Sequence, residues 1–289
     1  MKVSFPAIHS SSARLVFILG HPLSHSLSPA MQNAAFQKAK LPWLYLPLDL
    51  SQNQLKPVLE MMRTGAFIGA NVTVPYKEAV LPYLDHVEPE AKWLGSVNTL
   101  YRKGNKLCGT STDGEGFLRS LGDFRKKLRG SRGLLLGAGG AAKAVAGALA
   151  SSGVKGFYVA NRSEQRAGRL VKSLKSRYRF LETESVSVKE AGKFLPRCDW
   201  VIQATSVGLK KEDPSPLSLK AAKPLTWVVD LIYHRETAFL KEAREKRLTC
   251  LSGLGMLLHQ GALSFERWSG KKAPLKDMRK MLLHSLGSH

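Results

Sequence analysis

The stretch Gly133–Gly153, GLLLGAGGAAKAVAGALASSG, constrains the fold of this chain more than any other. An apolar run ends at Gly137, and Gly139 and Gly140 precede an alanine-rich segment. A strand, a tight turn and a helix in that order make the first βα turn of a doubly wound α/β domain. Glycines there let the backbone approach a pyrophosphate, and the helix start offers free N–H groups and the positive end of its dipole. Ala142 stands where a third glycine often falls, and it is small enough for close helix–strand packing. Gly137, Ala138, Gly139, Gly140 and Ala141 are therefore the expected dinucleotide contacts. The alternative is an alanine-rich core helix after a glycine turn; the flanking strand and helix favour the cofactor.

The next strand, Gly156–Ala160, runs into ANRSEQR. An NAD site usually carries an acid at that strand's end for the ribose hydroxyls. Here Asn161 takes that position, Arg162 follows, and Arg166 lies one turn later. Two guanidiniums can clamp a 2′-phosphate that an acid would repel. Ser163 is an expected helix N-cap and phosphate contact. Ordinary surface arginines are the other reading, but they leave the missing acid unexplained. The expected cofactor is NADP.

The 289 residues allow one or two domains. Ahead of the glycine turn, strand and helix alternate. Strands are expected at Arg14–Gly20, Trp43–Leu50 and Phe67–Val74. A helix runs from Ser28, as N-cap, with Pro29 first, through Lys40. A second runs from Lys56 to Thr64, opened by Pro57 and closed by Gly65. Ser96–Lys103 and Lys106–Thr112 form a hairpin about Gly104-Asn105. Asp113-Gly114 marks a boundary. Beyond it come strands at Gly133–Gly137, Gly156–Ala160, Asp199–Thr205 and Thr226–Leu231, with helices at Gly140–Ser152 and Ser163–Ser176. Gly253–His284 is helical and adds no strand to that sheet, so it is expected to pack on the first domain. The fold class is α/β with two domains, a mostly parallel sheet in the first and a Rossmann-type second. The expected boundaries are 1–112 with 253–289, and 113–252.

Composition narrows the setting. A 44% hydrophobic share supports a sizeable core. Cys108, Cys198 and Cys250 lie far apart, with no zinc spacing and no metal site expected, which suits a reducing cytoplasm. No apolar run approaches the ~20 residues of a membrane helix. Lys2 precedes only the short run Leu15–Leu19, too brief for a signal-peptide core. The net charge of +22 is spread along the chain and accompanied by no nucleic-acid motif. A solvated basic surface is expected, one that would also attract polyanionic small molecules.

Polar residues gather in the first part. In GHPLSHSLSP, Ser26 and Ser28 flank Leu27 beside a helix start, which suits a carboxylate. In NVTVPYK, Thr73 and Lys77 flank a strand end, where α/β sheets place ligands. Lys77 could donate a proton to a carbonyl oxygen, with Asp113 as its natural partner. Asn98 in SVNTL and Gln260 in MLLHQG are amides within apolar runs, and each needs buried partners. Taken singly, each has a plain reading: a cap, a solvated lysine, a turn aspartate, structural amides.

Together, GHPLSHSLSP, GANVTVPYK, GSVNTL, TSTDGEGF, LLGAGGAAKAV, ANRSEQRA, ATSVGL, DLIY and GLGMLLHQGALSFERWSG resemble the shikimate dehydrogenase family, in family order from Gly20 to about Pro274. The resemblance implies an α/β substrate domain interrupted by a Rossmann NADP domain. It implies reversible reduction of 3-dehydroshikimate to shikimate with NADPH, a step of chorismate and aromatic amino acid biosynthesis. Ser26 and Ser28 would hold the substrate carboxylate with Tyr233 nearby. Thr73, Asn98, Gln260 and Asp113 would bind ring hydroxyls, and Lys77 coupled to Asp113 would be the acid/base. Thr205, Leu231 and Gly253 would line the cofactor side. The implied partner is the small-molecule substrate, with no nucleic acid or membrane, in a monomer or homodimer. Ser96, Ser111, Ser163, Gln203 and Arg235 depart from the family's commoner Ala, Asn, Thr, Asn and Pro. A broader quinate/shikimate dehydrogenase, a noncatalytic NADPH-binding protein and a basic nucleic-acid-binding module are the alternatives.

Overall fold

The structure, a computed structural model, describes residues 14–63 and 67–287. These fall into two compact units: the described residues up to Thr112 with those from Leu258 onward, and Asp113–Leu257.

The first unit contains β1 (Arg14–Gly20), α1 (Ser28–Lys38), β2 (Trp43–Asp49), α2 (Leu55–Met61), β3 (Phe67–Val72), β4 (His86–Val87), α3 (Pro89–Leu94), β5 (Thr99–Lys103) and β6 (Lys106–Thr110). Its six strands are ordered β2-β1-β3-β5-β6-β4. β1 pairs in parallel with β2 and β3, whereas β5 runs antiparallel to β3 and β6. β1 is an interior strand in which Val16, Phe17, Ile18 and Leu19 are buried, an apolar run that fits a strand covered on both faces. On one face Phe17, Leu19, Leu59, Val72, Tyr76 and Leu100 join a single core.

Three local expectations for this unit need correction. Ser28 is not the N-cap of α1: it is the first helical residue, and Leu27 precedes it in αR conformation with its carbonyl accepting Met31 N–H at 3.1 Å. β3 stops at Val72 rather than Val74, whose side chain is exposed beyond the last pairing. α2 begins at Leu55, after a 3-10 turn at Gln52–Gln54 that Ser51 and Gln54 cap reciprocally. The proposed stop at Gly65, like Lys2, lies outside the described residues.

The second unit contains α4 (Asp113–Ser120), β7 (Arg132–Leu136), α5 (Gly140–Ser151), β8 (Gly156–Ala160), α6 (Glu164–Arg177), β9 (Glu182–Val186), β10 (Trp200–Gln203), β11 (Trp227–Asp230), α7 (Ala238–Glu245) and β12 (Thr249–Ser252). All six strands are parallel, in the order β12-β11-β10-β7-β8-β9. This is the doubly wound arrangement, with its strand order reversing between β7 and β10. β9 and β12 were not among the expected strands.

α8 (Leu254–Ser269) and α9 (Leu275–Gly287) follow. α8 spans the boundary, so the return to the first unit comes at Leu258, inside a helix, and not at Gly253. Within the first unit, Phe265 stacks on Phe36 of α1 at 5.7 Å, and Trp268 Nε1 donates to Leu100 O at 2.9 Å. A Cβ at Gly69 would overlap Leu100 O and lie 2.5 Å from Trp268 Nε1, so β3 needs glycine where the indole crosses it. Among the described residues, no helix is long and apolar enough to cross a membrane.

Candidate active site

In the second unit the chain turns sharply between β7 and α5. Gly137 has φ +117°, and a Cβ there would lie 2.8 Å from Ala204 O, so both conformation and space demand glycine. Gly139 is the extended N-cap of α5, no side chain caps that helix, and a Cβ at Gly139 would meet nothing within 4 Å. Ala138 is buried, while Gly140 and Ala141 are partly exposed. Open space above uncapped helical N–H groups is what a pyrophosphate requires, so these residues fit a dinucleotide.

Beyond β8, Ser163 is the N-cap of α6, accepting Arg166 N–H at 3.4 Å. Asn161 donates its amide to Ser163 O at 2.9 Å and thereby fixes the turn. Arg162 and Arg166 are exposed. At the end of β10, Gln203 is fully buried: its Oε1 accepts Thr205 N–H at 2.7 Å and its Nε2 donates to Val207 O at 2.7 Å. Thr205 Oγ1 accepts Val207 N–H at 3.1 Å. The same Gln203, through its carbonyl, accepts Leu231 N–H at 2.9 Å, and Gly253 packs where a Cβ would overlap Leu231 O. Gln203, noted in the sequence only as a departure from a commoner Asn, is thus the brace of this turn. Its signal was an amide at the end of an apolar strand, which burial obliges to find partners. Among the described residues, no group of three or more His, Cys, Asp or Glu could hold a metal ion.

In the first unit, the end of β1 is crowded. A Cβ at Gly20 would overlap Thr73 Cγ2, and Thr73 N–H donates to Leu19 O at 2.8 Å. The next segment, His21–Leu27, folds back: Ser26 N–H donates to Leu23 O at 2.9 Å, and Ser28 N–H donates to Ser26 Oγ at 3.4 Å. Past β3, Tyr76 N–H donates to Thr73 O, and Val97 N–H donates to Lys77 O at 2.9 Å. Thr73 and Lys77, both partly buried, therefore lie at one sheet end beside Asn98, which leads into β5.

Asn98 is held by a buried polar network. Its Oδ1 accepts Thr112 N–H at 2.8 Å and Thr99 Oγ1–H at 3.0 Å, while its Nδ2 donates to Thr112 Oγ1 at 2.9 Å and Gln260 Oε1 at 3.2 Å. Ser264, one turn after Gln260 on α8, lies 2.8 Å from Thr99 Oγ1 and accepts from Asn71 Nδ2 at 2.9 Å. Tyr45 OH donates to Asn71 Oδ1 at 2.8 Å. Sequence reasoning found Asn98 and Gln260 but assigned nothing to Asn71, Thr112 or Ser264. Asn71 had a legible signal, a buried-looking amide in a strand.

The structure so brings Ser26, Ser28, Thr73 and Lys77 to one end of the first unit's sheet and joins Asn98 to Gln260. Asp113 and Tyr233 belong to the second unit. Asp113 is buried as the first residue of α4, and Tyr233, partly buried after β11, meets His234 edge-to-face at 5.9 Å.

Comparison with known proteins gives three family matches. Residues 18–100 match the shikimate dehydrogenase substrate binding domain, residues 121–235 match shikimate / quinate 5-dehydrogenase, and residues 253–283 match the shikimate 5′-dehydrogenase C-terminal domain. The chain is 42% identical over 287 residues to a shikimate dehydrogenase (NADP(+)) of Moorella thermoacetica, covering 96% of this chain and 95% of that protein. The crystal structure of Thermus thermophilus shikimate 5-dehydrogenase in complex with NADP(H) and shikimate superposes with a TM-score of 0.83 at 38% identity, covering 94% of this chain and 99% of that one. A shikimate dehydrogenase crystallised with NADP+ gives a TM-score of 0.90 at 30% identity, covering 96% and 97%.

Proposed function

The chain belongs to the shikimate dehydrogenase family and is an NADP-dependent oxidoreductase acting on the shikimate/3-dehydroshikimate pair; on that premise we propose how its own residues carry the reaction. The nicotinamide, when bound, supplies the hydride. Gly137, Ala138, Gly139, Gly140 and Ala141 receive the pyrophosphate at the start of α5. Arg162 and Arg166 clamp the 2′-phosphate, with Ser163 and Asn161 shaping the turn that presents them. Thr205, Leu231 and Gly253 line the cofactor side.

Ser26 and Ser28 hold the substrate carboxylate, and Tyr233 is a further substrate-binding residue of this reading. Thr73, Asn98 and Gln260 take the ring hydroxyls. The observation that carries this reading is the meeting of Asn98 and Gln260, 162 positions apart in sequence, at 3.2 Å within a buried network. An amide pair so braced is held in one orientation, which recognition of a polyhydroxylated ring needs. Lys77 donates the proton to the ketone oxygen as negative charge grows there and recovers it in the reverse direction, and Asp113 is the second catalytic residue of this reading. The substrate is a small molecule. The same reading gives a monomer or homodimer in the cytoplasm, without nucleic-acid or membrane partners.

Lys77→Ala is expected to lower kcat by orders of magnitude, with a modest change in the KM for shikimate, in an assay of NADP reduction by shikimate. Turnover like that of the parent would remove Lys77 from the chemistry. Quinate assayed beside shikimate separates the narrow from the broad substrate range.

A further inference from the structure

β2 ends at Asp49, which stands opposite Gly20 in the parallel pairing with β1, and Leu50 N–H donates to Gly20 O at 3.1 Å. The carboxylate of Asp49 is thereby mounted on a rigid strand end beside the irregular segment His21–Leu27. Its two oxygens are both engaged there: Oδ1 lies 2.5 Å from His21 Nδ1, and Oδ2 accepts Leu23 N–H at 3.0 Å. From Leu23 the connection continues, since Leu23 O accepts Ser26 N–H at 2.9 Å and Ser26 Oγ accepts Ser28 N–H at 3.4 Å. A serine oxygen occupied as acceptor keeps its O–H to donate, the polarity an anion requires.

We propose that Asp49 is a positioning residue for the substrate carboxylate: through Leu23 it sets the turn that aims the Ser26 and Ser28 hydroxyls. This rests on the assignment of those serines to the carboxylate. Asp49 touches no substrate itself. It acts because Leu23 N–H has a fixed acceptor, and the turn from Leu23 to Ser26 is built from that anchor. His21 takes the other oxygen and so keeps the carboxylate from rotating away.

The test is steady-state kinetics of Asp49→Ala, Asp49→Asn, Ser26→Ala and the Asp49→Ala/Ser26→Ala double variant, with shikimate and with its methyl ester. Asp49→Ala is expected to raise the KM for shikimate about tenfold, the scale of losing one charge-assisted hydrogen bond. The KM for NADP should stay within about twofold, a change worth only a few tenths of a kcal/mol. Asn at position 49 keeps an acceptor for Leu23 N–H and should restore most of the loss. In the Ser26→Ala background, Asp49→Ala should add little, and on the methyl ester, which lacks the anion, its penalty should shrink. A penalty that is equal on acid and ester, or fully additive with Ser26→Ala, overturns the proposal. If Ser26→Ala leaves the shikimate KM unchanged, the serine assignment itself fails. If Ser26→Ala raises it and Asp49→Ala does not, only the positioning role falls. Half-exposed side chains at both His21 and Asp49 make the variants compatible with folding; thermal unfolding of each confirms it, and a loss of kcat in step with Tm counts against the proposal.

Discussion

Asp230 takes a carboxylate into the interior of the second unit at the end of β11, where it is fully buried. Burial pushes its pKa up to about 6, against the opposing pull of hydrogen bonds from Thr237 Oγ1 at 2.6 Å and Ile232 N–H at 3.0 Å. An ordinary aspartate in the unfolded chain loses its proton near pH 4. Between about pH 4 and pH 6 the unfolded chain therefore binds fewer protons at this site than the folded one, and stability falls as pH rises, by about 3 kcal/mol in all. Urea unfolding across that window should show Asp230→Asn with a slope against pH more positive than the parent's, since the falling contribution is gone; equal slopes would mean that the carboxyl titrates normally. At this scale the sequence revealed chemistry-bearing types better than their supports. Thr73, Lys77 and Asn98 sit in short motifs that a reader can weigh. Ser264 and Thr112 are ordinary residues whose meaning comes from Asn71 and Asn98, partners supplied by other elements.

Among the elements, α8 and β3 meet through a single absent side chain. Trp268 crosses β3 at Gly69 and bonds to β5 at Leu100 O. Gly69→Ala puts a methyl group against that carbonyl and the indole, neither of which is a flexible chain end. A loss of about 1–3 kcal/mol or more is expected, read as a lower urea midpoint. The same change at Gly139 finds open space, so it should cost under about 1 kcal/mol while raising the KM for NADP by filling the phosphate cradle. Equal stability losses at the two positions would contradict the packing described for β3. Elements were legible where apolar runs are long: β1 and β8 keep their expected limits. β9, ETESV, and β12, TCLS, are short edge strands with few apolar residues, and burial needs little from them. α1 kept its place, but the cap shifted because Ser28 took a helical conformation and left the terminus to Leu27.

Over the whole molecule, a net charge of +22 surrounds a reaction whose cofactor carries several phosphates. Such a field raises the local concentration of polyanions and is screened by salt, with a Debye length of about 8 Å at physiological ionic strength. The KM for NADP should rise steeply with salt and that for shikimate, a single anion, more gently. Arg162→Gln should raise the NADP value at low salt and flatten its slope. A KM for NADP that stays constant as salt is raised would show that the charge does nothing to capture the cofactor. The interrupted arrangement was readable because Gly253–His284 offers helices and no strand, whereas the point of return was hidden inside the continuous helix α8. That arrangement sets an order of events during synthesis. Residues 113–257 are contiguous and can condense as soon as they leave the ribosome, although they are translated second. Asn98 has to wait for Gln260, 162 residues further on, to emerge before its network can close. The unit that holds β1 is completed after the one translated behind it, and a nascent chain stalled before α8 has no means of assembling the amide pair.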